Sequence, residues 1–265
     1  MARLMKEERL QRILEVINKD GHAKAGDLAW NFEVSEITIR RDLNELAERG
    51  NIRRAHGGAI ISNTANGEPP IINRMTQEKE YKKSIARTAA SMIRDGESIF
   101  LGSGSTVAYI ARYLTNHKNL NVVTNAINVS TELATTEDIT VVVLGGMMRH
   151  KELSLIGHIA EQSLHEVTFD KVIIGIPAID LKAGLTNDFL PEVMTDRMIL
   201  DQAREVILVA DHTKCGKVAS AFVAPLNRVN FFVTDIKTSP DFLEGVRMQG
   251  VSVIVANDTL TSNPA

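Results

Sequence analysis

Leu10, Ile13, Leu14 and Ile17 recur at i, i+3, i+4 and i+7, the stripe one buried helix face requires, and they predict an amphipathic helix over 6–18. A second, shorter helical pattern covers 25–32, with Leu28, Ala29 and Phe32 on one side. After the turn Glu33-Val34-Ser35 a third begins, because the Ser35 hydroxyl is placed to accept from the free amides of a first helical turn. It runs over 36–49, and Gly50 supplies its stop. Residues 51–60, NIRRAHGGAI, then have the β-rich, Gly-Gly-bearing composition of a hairpin.

The pattern changes after residue 61. Residues 62–72, SNTANGEPPII, mix small polar residues with Gly and a Pro pair, and such a stretch buries too little to fold by itself. Another helix is predicted over 77–94, turning Ile85, Ala89, Met92 and Ile93 to one side. Beyond it lie seven short apolar runs, at 98–101, 122–124, 141–144, 172–176, 206–210, 231–234 and 251–255, mostly separated by helical patterns. β-Branched runs apolar on both faces suit strands covered on both sides, and alternation with helices implies a largely parallel sheet. The expected organisation is an α+β winged helix-turn-helix domain over 1–61, a linker over 62–76 and an α/β domain over 77–265.

Composition narrows the classes. With 44% hydrophobic and 24% charged residues the chain reads as a packed, water-soluble protein. The one cysteine, Cys215, excludes an internal disulfide framework, and no Cys and His residues have the paired spacing of a structural zinc site. No run approaches the ~20 apolar residues needed to span a bilayer, and the start MARLMKEERLQ lacks a signal-peptide core. A cytoplasmic protein without a membrane partner is expected. The net charge of −3, and 11 Lys plus Arg against 10 Asp plus Glu over 1–60, do not by themselves point to nucleic acid.

Placement does. At about 100° per residue, Ile39, Leu43 and Leu46 fall on the side of the third helix facing the first two, leaving Ile37, Arg41, Asn44 and Glu48 opposite. Thr38 and Arg40 flank that exposed face at its N-terminal end, the end that approaches base edges in helix-turn-helix proteins. Arg holds guanine bidentately, Asn pairs with adenine, and Thr or a helix start fixes phosphate. On the helix alone, a solvated face explains these residues as well. Arg53, Arg54 and His56 on the following hairpin add a second basic element beside the same groove and shift the balance to double-stranded DNA. One short helix contacts too few bases to find a site in a genome, so a homodimer or homotetramer on a repeated or palindromic operator is expected.

In the second domain the five residues GSGST (Gly102, Ser103, Gly104, Ser105, Thr106) stand between an apolar run and a helical pattern. Small residues there expose amides beside the positive end of a helix dipole, which suits a phosphate; they equally suit a tight packing turn. The stretch is not a dinucleotide fingerprint, since Val107 stands where its third glycine belongs, and no Lys-Ser/Thr pair makes it a Walker A loop. Loops at Thr124-Asn125, Gly145-Gly146 and 211–214 lie at other strand ends, where open α/β sheets bind ligands. The basic run Arg149-His150-Lys151 also reads as a solvated loop, and Cys215 as a packing residue. His158, Glu161 and His165 lack the arrangement of a metal site, so neither metal nor cofactor is expected.

The stretch EITIRRDLNELAERGNIRRAHGGAI resembles the N-terminal signature of the DeoR family of bacterial repressors, and VVTNA, GGMMRHKELSLIG, AGLT and ADHTKCGK resemble that family's C-terminal domain. The resemblance implies that Thr38, Arg40 and Arg41 enter or flank the major groove and that Arg53, Arg54 and His56 form the wing. It implies a second domain related to sugar-phosphate isomerases and CoA transferases, with GSGST as phosphate loop and Lys214 as a contact to an anionic effector. Asn125, Gly145, Gly146, Arg149 and Asp211 join that site by the same resemblance. The implied role is a repressor of a sugar or polyol catabolism operon, released by a phosphorylated sugar or polyol. Leu101-Gly102-Ser103 departs from the Asp-Gly-Thr-Thr of many relatives, so the effector's identity is not inherited.

The competing reading is a sugar-phosphate isomerase with an appended DNA-binding domain. Residues 175–180, Gly-Ile-Pro-Ala-Ile-Asp, resemble the isomerases' Gly-Ala-Asp-Glu-Ile-Asp motif. Pro177 occupies the first Asp position and cannot transfer a proton, and no Lys follows Asp180 at the expected spacing, so no catalytic residues are expected. A protein-interaction adaptor is opposed by Arg40, Arg41, Arg53 and Arg54.

Overall fold

The computed structural model describes residues 5–20, 22–48, 52–61 and 68–257. They divide into two compact units, 1–73 and 74–265.

In the first unit the elements run α1 (Lys6–Asp20), β1 (His22–Lys24), α2 (Ala25–Asn31), α3 (Glu36–Glu48), β2 (Ile52–Ala55) and β3 (Gly58–Ile61). The apolar stripes close on one core, in which Leu10, Ile13, Ile17, Leu28, Ile39, Leu43 and Leu46 are all buried. Ser35 caps α3 as its position predicts, its Oγ accepting from the Thr38 amide at 3.2 Å. The end of α3 and Gly50 fall outside the described residues.

Strand β1 is absent from the sequence reading, because its three residues show no alternation of their own. It joins an antiparallel sheet of order β1-β3-β2, pairing Ala23 with Ala59. Gly58 is needed there: a Cβ would lie 2.1 Å from the Ala23 carbonyl oxygen. A buried ion pair, also unanticipated, ties α1 to α3, with Arg9 Nε donating to Asp42 Oδ2 at 2.6 Å and Nη2 to Oδ1 at 3.2 Å.

Within the stretch read as linker, one helical turn, α4 (Ile71–Arg74), follows Pro69-Pro70. Residues 62–67 lie outside the described residues. The second unit holds α5 (Lys79–Ala90), β4 (Ser98–Leu101), α6 (Ser105–Tyr113), β5 (Leu120–Thr124), α7 (Ile127–Leu133) and β6 (Ile139–Val143). A hairpin of β7 (Met147–Arg149) and β8 (Ser154–Ile156) leads to α8 (His158–Leu164) and β9 (Lys171–Ile174). Then come β10 (Ala178–Asp180), β11 (Gly184–Asn187), α9 (Leu190–Gln202), β12 (Glu205–Val209), β13 (Ala221–Ala224), β14 (Phe231–Asp235), α10 (Pro240–Arg247) and β15 (Ser252–Ala256).

The seven apolar runs are the seven strands of one parallel sheet, ordered β15-β14-β12-β9-β4-β5-β6. Alternation within β4 shows why both faces are covered. Ile99 and Leu101 pack with α5, α6 and α7, while Phe100 turns to the opposite core built by α8, α9 and α10. From β4 the chain builds outward through β5 and β6, then returns to lay β9 on the other side of β4. Strand order therefore reverses between β4 and β9, and in open α/β sheets such a reversal leaves a crevice at the carboxyl ends of the strands.

Candidate functional site

On the first unit, the burial of Ile39, Leu43 and Leu46 fixes what α3 turns outward: Arg40, Arg41 and Asn44 are exposed. Arg41 and Asn44 make no hydrogen bond or ion pair among the described residues, so their donors are free for a ligand. Among the described residues Arg40 forms only an exposed pair with Glu36 at 3.1 Å, and the half-buried Thr38 shares its hydroxyl with Ser35 at 2.9 Å. On the β2–β3 hairpin, Arg53 and His56 are exposed, and Gly57 turns the chain at φ 77°. Arg54 differs, since its guanidinium donates to the Gly58 carbonyl at 2.8 Å and braces the hairpin.

In the second unit, the turn after β4 opens at the reversal of strand order. Gly104 takes φ 120° and ψ 152° ahead of α6, and Ser105 and Thr106 are buried in its first turn. Gly102 packs against β9, where a Cβ would meet Ile174 Cγ2 at 3.1 Å. Gly102, Ser103 and Asn125 line one narrow cleft with Ile174, Gly175, Ile176, Asp196 and Ile199. Its volume is about 20 Å³, room for about one water molecule. A wider hollow of about 490 Å³ lies at the opposite ends of the strands, around Ser98, Asp170 and Arg204, away from the start of α6.

A network of buried charge borders this cleft, and the sequence reading missed it. Arg74 donates to Glu152, both buried, and Glu152 reaches to 4.0 Å of where a Gly104 Cβ would stand. Arg149 donates to Glu192 and stacks on Phe189 with its guanidinium carbon 4.5 Å from the ring centre. Glu192 also accepts from Ser154 Oγ at 2.7 Å and Asn187 Nδ2 at 3.2 Å. The Asn187 amide reaches Asp196 Oδ2 as well, at 3.0 Å. Burial, and then the neighbouring Glu192 charge, push the Asp196 carboxyl well above the usual carboxylate range.

The remaining expected residues occupy neighbouring strand ends. Asp211, after β12, caps the turn 212–214 by accepting from the Thr213 amide, and its Oδ2 lies 3.7 Å from the buried Lys82 Nζ. Lys82 also donates to the carbonyls of Arg74 and Gln77, each at 2.7 Å. Lys214 ends that turn, half-buried. Gly145 and Gly146 carry the chain from β6 into the hairpin, and Gly146 is required by packing, since a Cβ would approach the Ile156 carbonyl to 2.7 Å. Nothing local in the sequence marks Glu152, Glu192 or Asp196 as buried or paired.

Two features bear on chemistry. Asp180 accepts from the amides of Lys182 and Ala183, each at 2.8 Å, which hold its carboxyl below the usual range and make it the brace of a turn. Burial pushes the Cys215 thiol up to about 12, far from a reactive thiolate.

The chain matches the family model of the DeoR-like helix-turn-helix domain over residues 9–65 and that of the DeoR C-terminal sensor domain over 77–236. It is 36% identical to the glycerol-3-phosphate regulon repressor of Escherichia coli, over 86% of this chain and 90% of that one. It is 34% identical to the lactose phosphotransferase system repressor of Staphylococcus aureus, over 87% and 92%. Among solved structures it is similar to ribose 5-phosphate isomerase A of Neisseria gonorrhoeae at a TM-score of 0.40, with 20% identity over 53% of this chain and 55% of that one. With a helix-turn-helix model on the reader unit, a sensor model on the sheet unit and full-length relatives in common, the chain belongs to the DeoR family of DNA-binding transcriptional regulators.

Proposed function

We propose that the protein represses a sugar or polyol catabolism operon, and that a phosphorylated intermediate of that pathway releases it from its operator by binding at residues 102–106. The observation that carries the effector half is the start of α6, a nine-residue helix whose free amides open at the reversal of strand order. Ser103, Ser105 and Thr106 add hydroxyl donors, and Lys214 and Asp211 stand on the strand end beyond β9. The names of the relatives, repressors of glycerol-3-phosphate and lactose systems, favour the same class of ligand.

In this reading Arg41 and Asn44 contact base edges, Thr38 and Arg40 flank them, and Arg53 and His56 hold phosphates, with Arg54 bracing the wing. The protein works as a homo-oligomer in the cytoplasm; no helix among the described residues is long and apolar enough to cross a membrane. The edge strand β6 leaves Val142 and Val143 exposed beside Met147 and Met148, an apolar edge that a second copy would cover. Arg149, already held by Glu192, joins the site only if a ligand displaces that carboxylate. The role is regulation: Pro177 stands where the isomerases' motif has its first carboxylate, and Asp180 is held in a turn by backbone amides.

The cleft admits about one water, so a sugar end must open it. Ligand binding and shape are thereby linked, and a hundredfold loss of operator affinity requires ~2.7 kcal/mol of coupling. A thermal-shift screen of phosphorylated sugars and polyols tests the reading, because a ligand at 100 times its Kd adds ~2.7 kcal/mol to stability. Equal affinity for an active ester and its unphosphorylated parent would show residues 102–106 to be a packing turn.

A further inference from the structure

One apolar side chain stands on the face of α3 that otherwise carries polar groups. Ile37 is 66% exposed, and it shares the outward side of the helix with the exposed Arg41, Asn44 and Glu48, at i, i+4, i+7 and i+11. A single exposed isoleucine means little by itself; its place is what informs. It is the second residue of α3, in the first turn, the part of a helix-turn-helix recognition helix that meets base edges. The polar side chains of that turn are engaged with near neighbours: Glu36 pairs with Arg40 at 3.1 Å, and Thr38 shares its hydroxyl with Ser35 at 2.9 Å. Ile39 is buried in the core. What the start of α3 presents is therefore a branched hydrocarbon. Its β-branching leaves one strongly preferred χ1 rotamer in a helix, so the group is held in position before any ligand arrives.

We infer that Ile37 is a specificity residue that reads thymine through its 5-methyl group, at one position of each half-site. The inference rests on the reading that α3 enters the major groove, and adds what its first turn recognises there. Each base presents a different edge in that groove: guanine shows two acceptors, adenine an acceptor and a donor, cytosine a donor, and thymine an acceptor beside a methyl group. The isoleucine side chain has no hydrogen-bonding atom. Opposite G, A or C it strips water from polar groups and returns nothing, so those bases are disfavoured. Against the thymine methyl it breaks no hydrogen bond, and apolar surface of both partners leaves water. The contact is also uncharged. Unlike a phosphate contact from Arg53 it releases no counterion, so its share of the affinity does not change with salt.

Selection by the full chain from a pool of randomised duplexes gives the sites it prefers. Replacing the thymines of a selected site by deoxyuridine, one at a time, then tests the contact, because uracil lacks the methyl and keeps every hydrogen-bonding group. One thymine in each half-site should respond, affinity falling about fourfold for one half-site and about fifteenfold for both, the worth of one buried methyl per contact. Ile37→Gln should keep its salt slope, bind that thymine and its uracil counterpart equally, and no longer select thymine there. Ile37→Val, which keeps a branched hydrocarbon, should retain the uracil response. Uracil without effect at every thymine, or a response that Ile37→Gln retains in full, would overturn the inference. Sequence preference relaxed at other positions by Arg41→Ala would in that case leave the reading of α3 standing. Selected sites unaltered by both Arg41→Ala and Ile37→Gln, or a pool that yields no preferred site, would remove both.

Discussion

The two units handle charge in opposite ways. On the reader, the cations at work are exposed, and Arg41 and Arg53 make no ion pair among the described residues. In the sensor, Arg74, Lys82 and Arg149 are buried or nearly so, and each is held by a carboxylate. Free surface cations suit a polyanion whose binding releases counterions and weakens with salt. Enclosed pairs suit a small anion that must displace an existing partner, in surroundings that salt screens little. In the proposed reading one chain carries a salt-dependent grip on DNA and a ligand site governed by buried electrostatics.

The sharpest contrast should be in stability. Removing one member of a buried pair strands the other, so Arg74→Ala should cost ~3–5 kcal/mol, read by urea unfolding of the sensor. Arg9→Ala, which strands Asp42, should cost a similar ~3–5 kcal/mol in the reader and shows that even this unit buries charge where it braces α1 on α3. Losses under 1 kcal/mol at both positions would contradict the buried pairing.

Next in size are effects on DNA. Arg41→Ala should lower operator affinity by ~1–3 kcal/mol and relax sequence preference, whereas Arg53→Ala should weaken specific and nonspecific binding alike and reduce the salt slope by ~1. Anisotropy titrations at several salt concentrations separate the two. An unchanged salt slope in Arg53→Ala would remove the wing from the phosphate contacts.

Asp196 supplies a pH-dependent effect. Its carboxyl titrates above the ordinary carboxylate range in the folded chain, so its stabilising contribution is complete below the unfolded value and is lost as pH rises through the folded one. Asp196→Asn cannot ionise and should therefore gain on the parent chain in melting temperature as pH rises from 4 to 8. A constant difference across that range would refute the shift. The smallest effect is expected at the exposed Arg40–Glu36 pair, where Arg40→Ala should change stability by no more than ~0.5 kcal/mol.

What could be read in advance follows a physical divide. All seven strands of the parallel sheet were legible, because burial on both faces demands unbroken apolar runs such as 206–210. Strands β1, β7, β8, β10, β11 and β13 were not, since segments of three or four residues take their conformation from partners, as β1 does from β3. At the site, the turn 102–106 was visible because its residues are adjacent. The buried pairs were hidden by distance along the chain: 78 residues separate Arg74 from Glu152, and 43 separate Arg149 from Glu192. Nothing local distinguishes Asp196 from a solvated acid on a helix; only the meeting of α9 with the ends of β4 and β5 does.

The most direct test of release by a phosphate ester is operator affinity measured against increasing ester at fixed salt, for the parent chain and the Ser105→Ala/Lys214→Ala double variant. The parent chain should lose about a hundredfold in affinity, ~2.7 kcal/mol, while the double variant binds operator normally and stays bound. Release of the double variant at the same ester concentration, or release of the parent chain by the unphosphorylated compound, would contradict it.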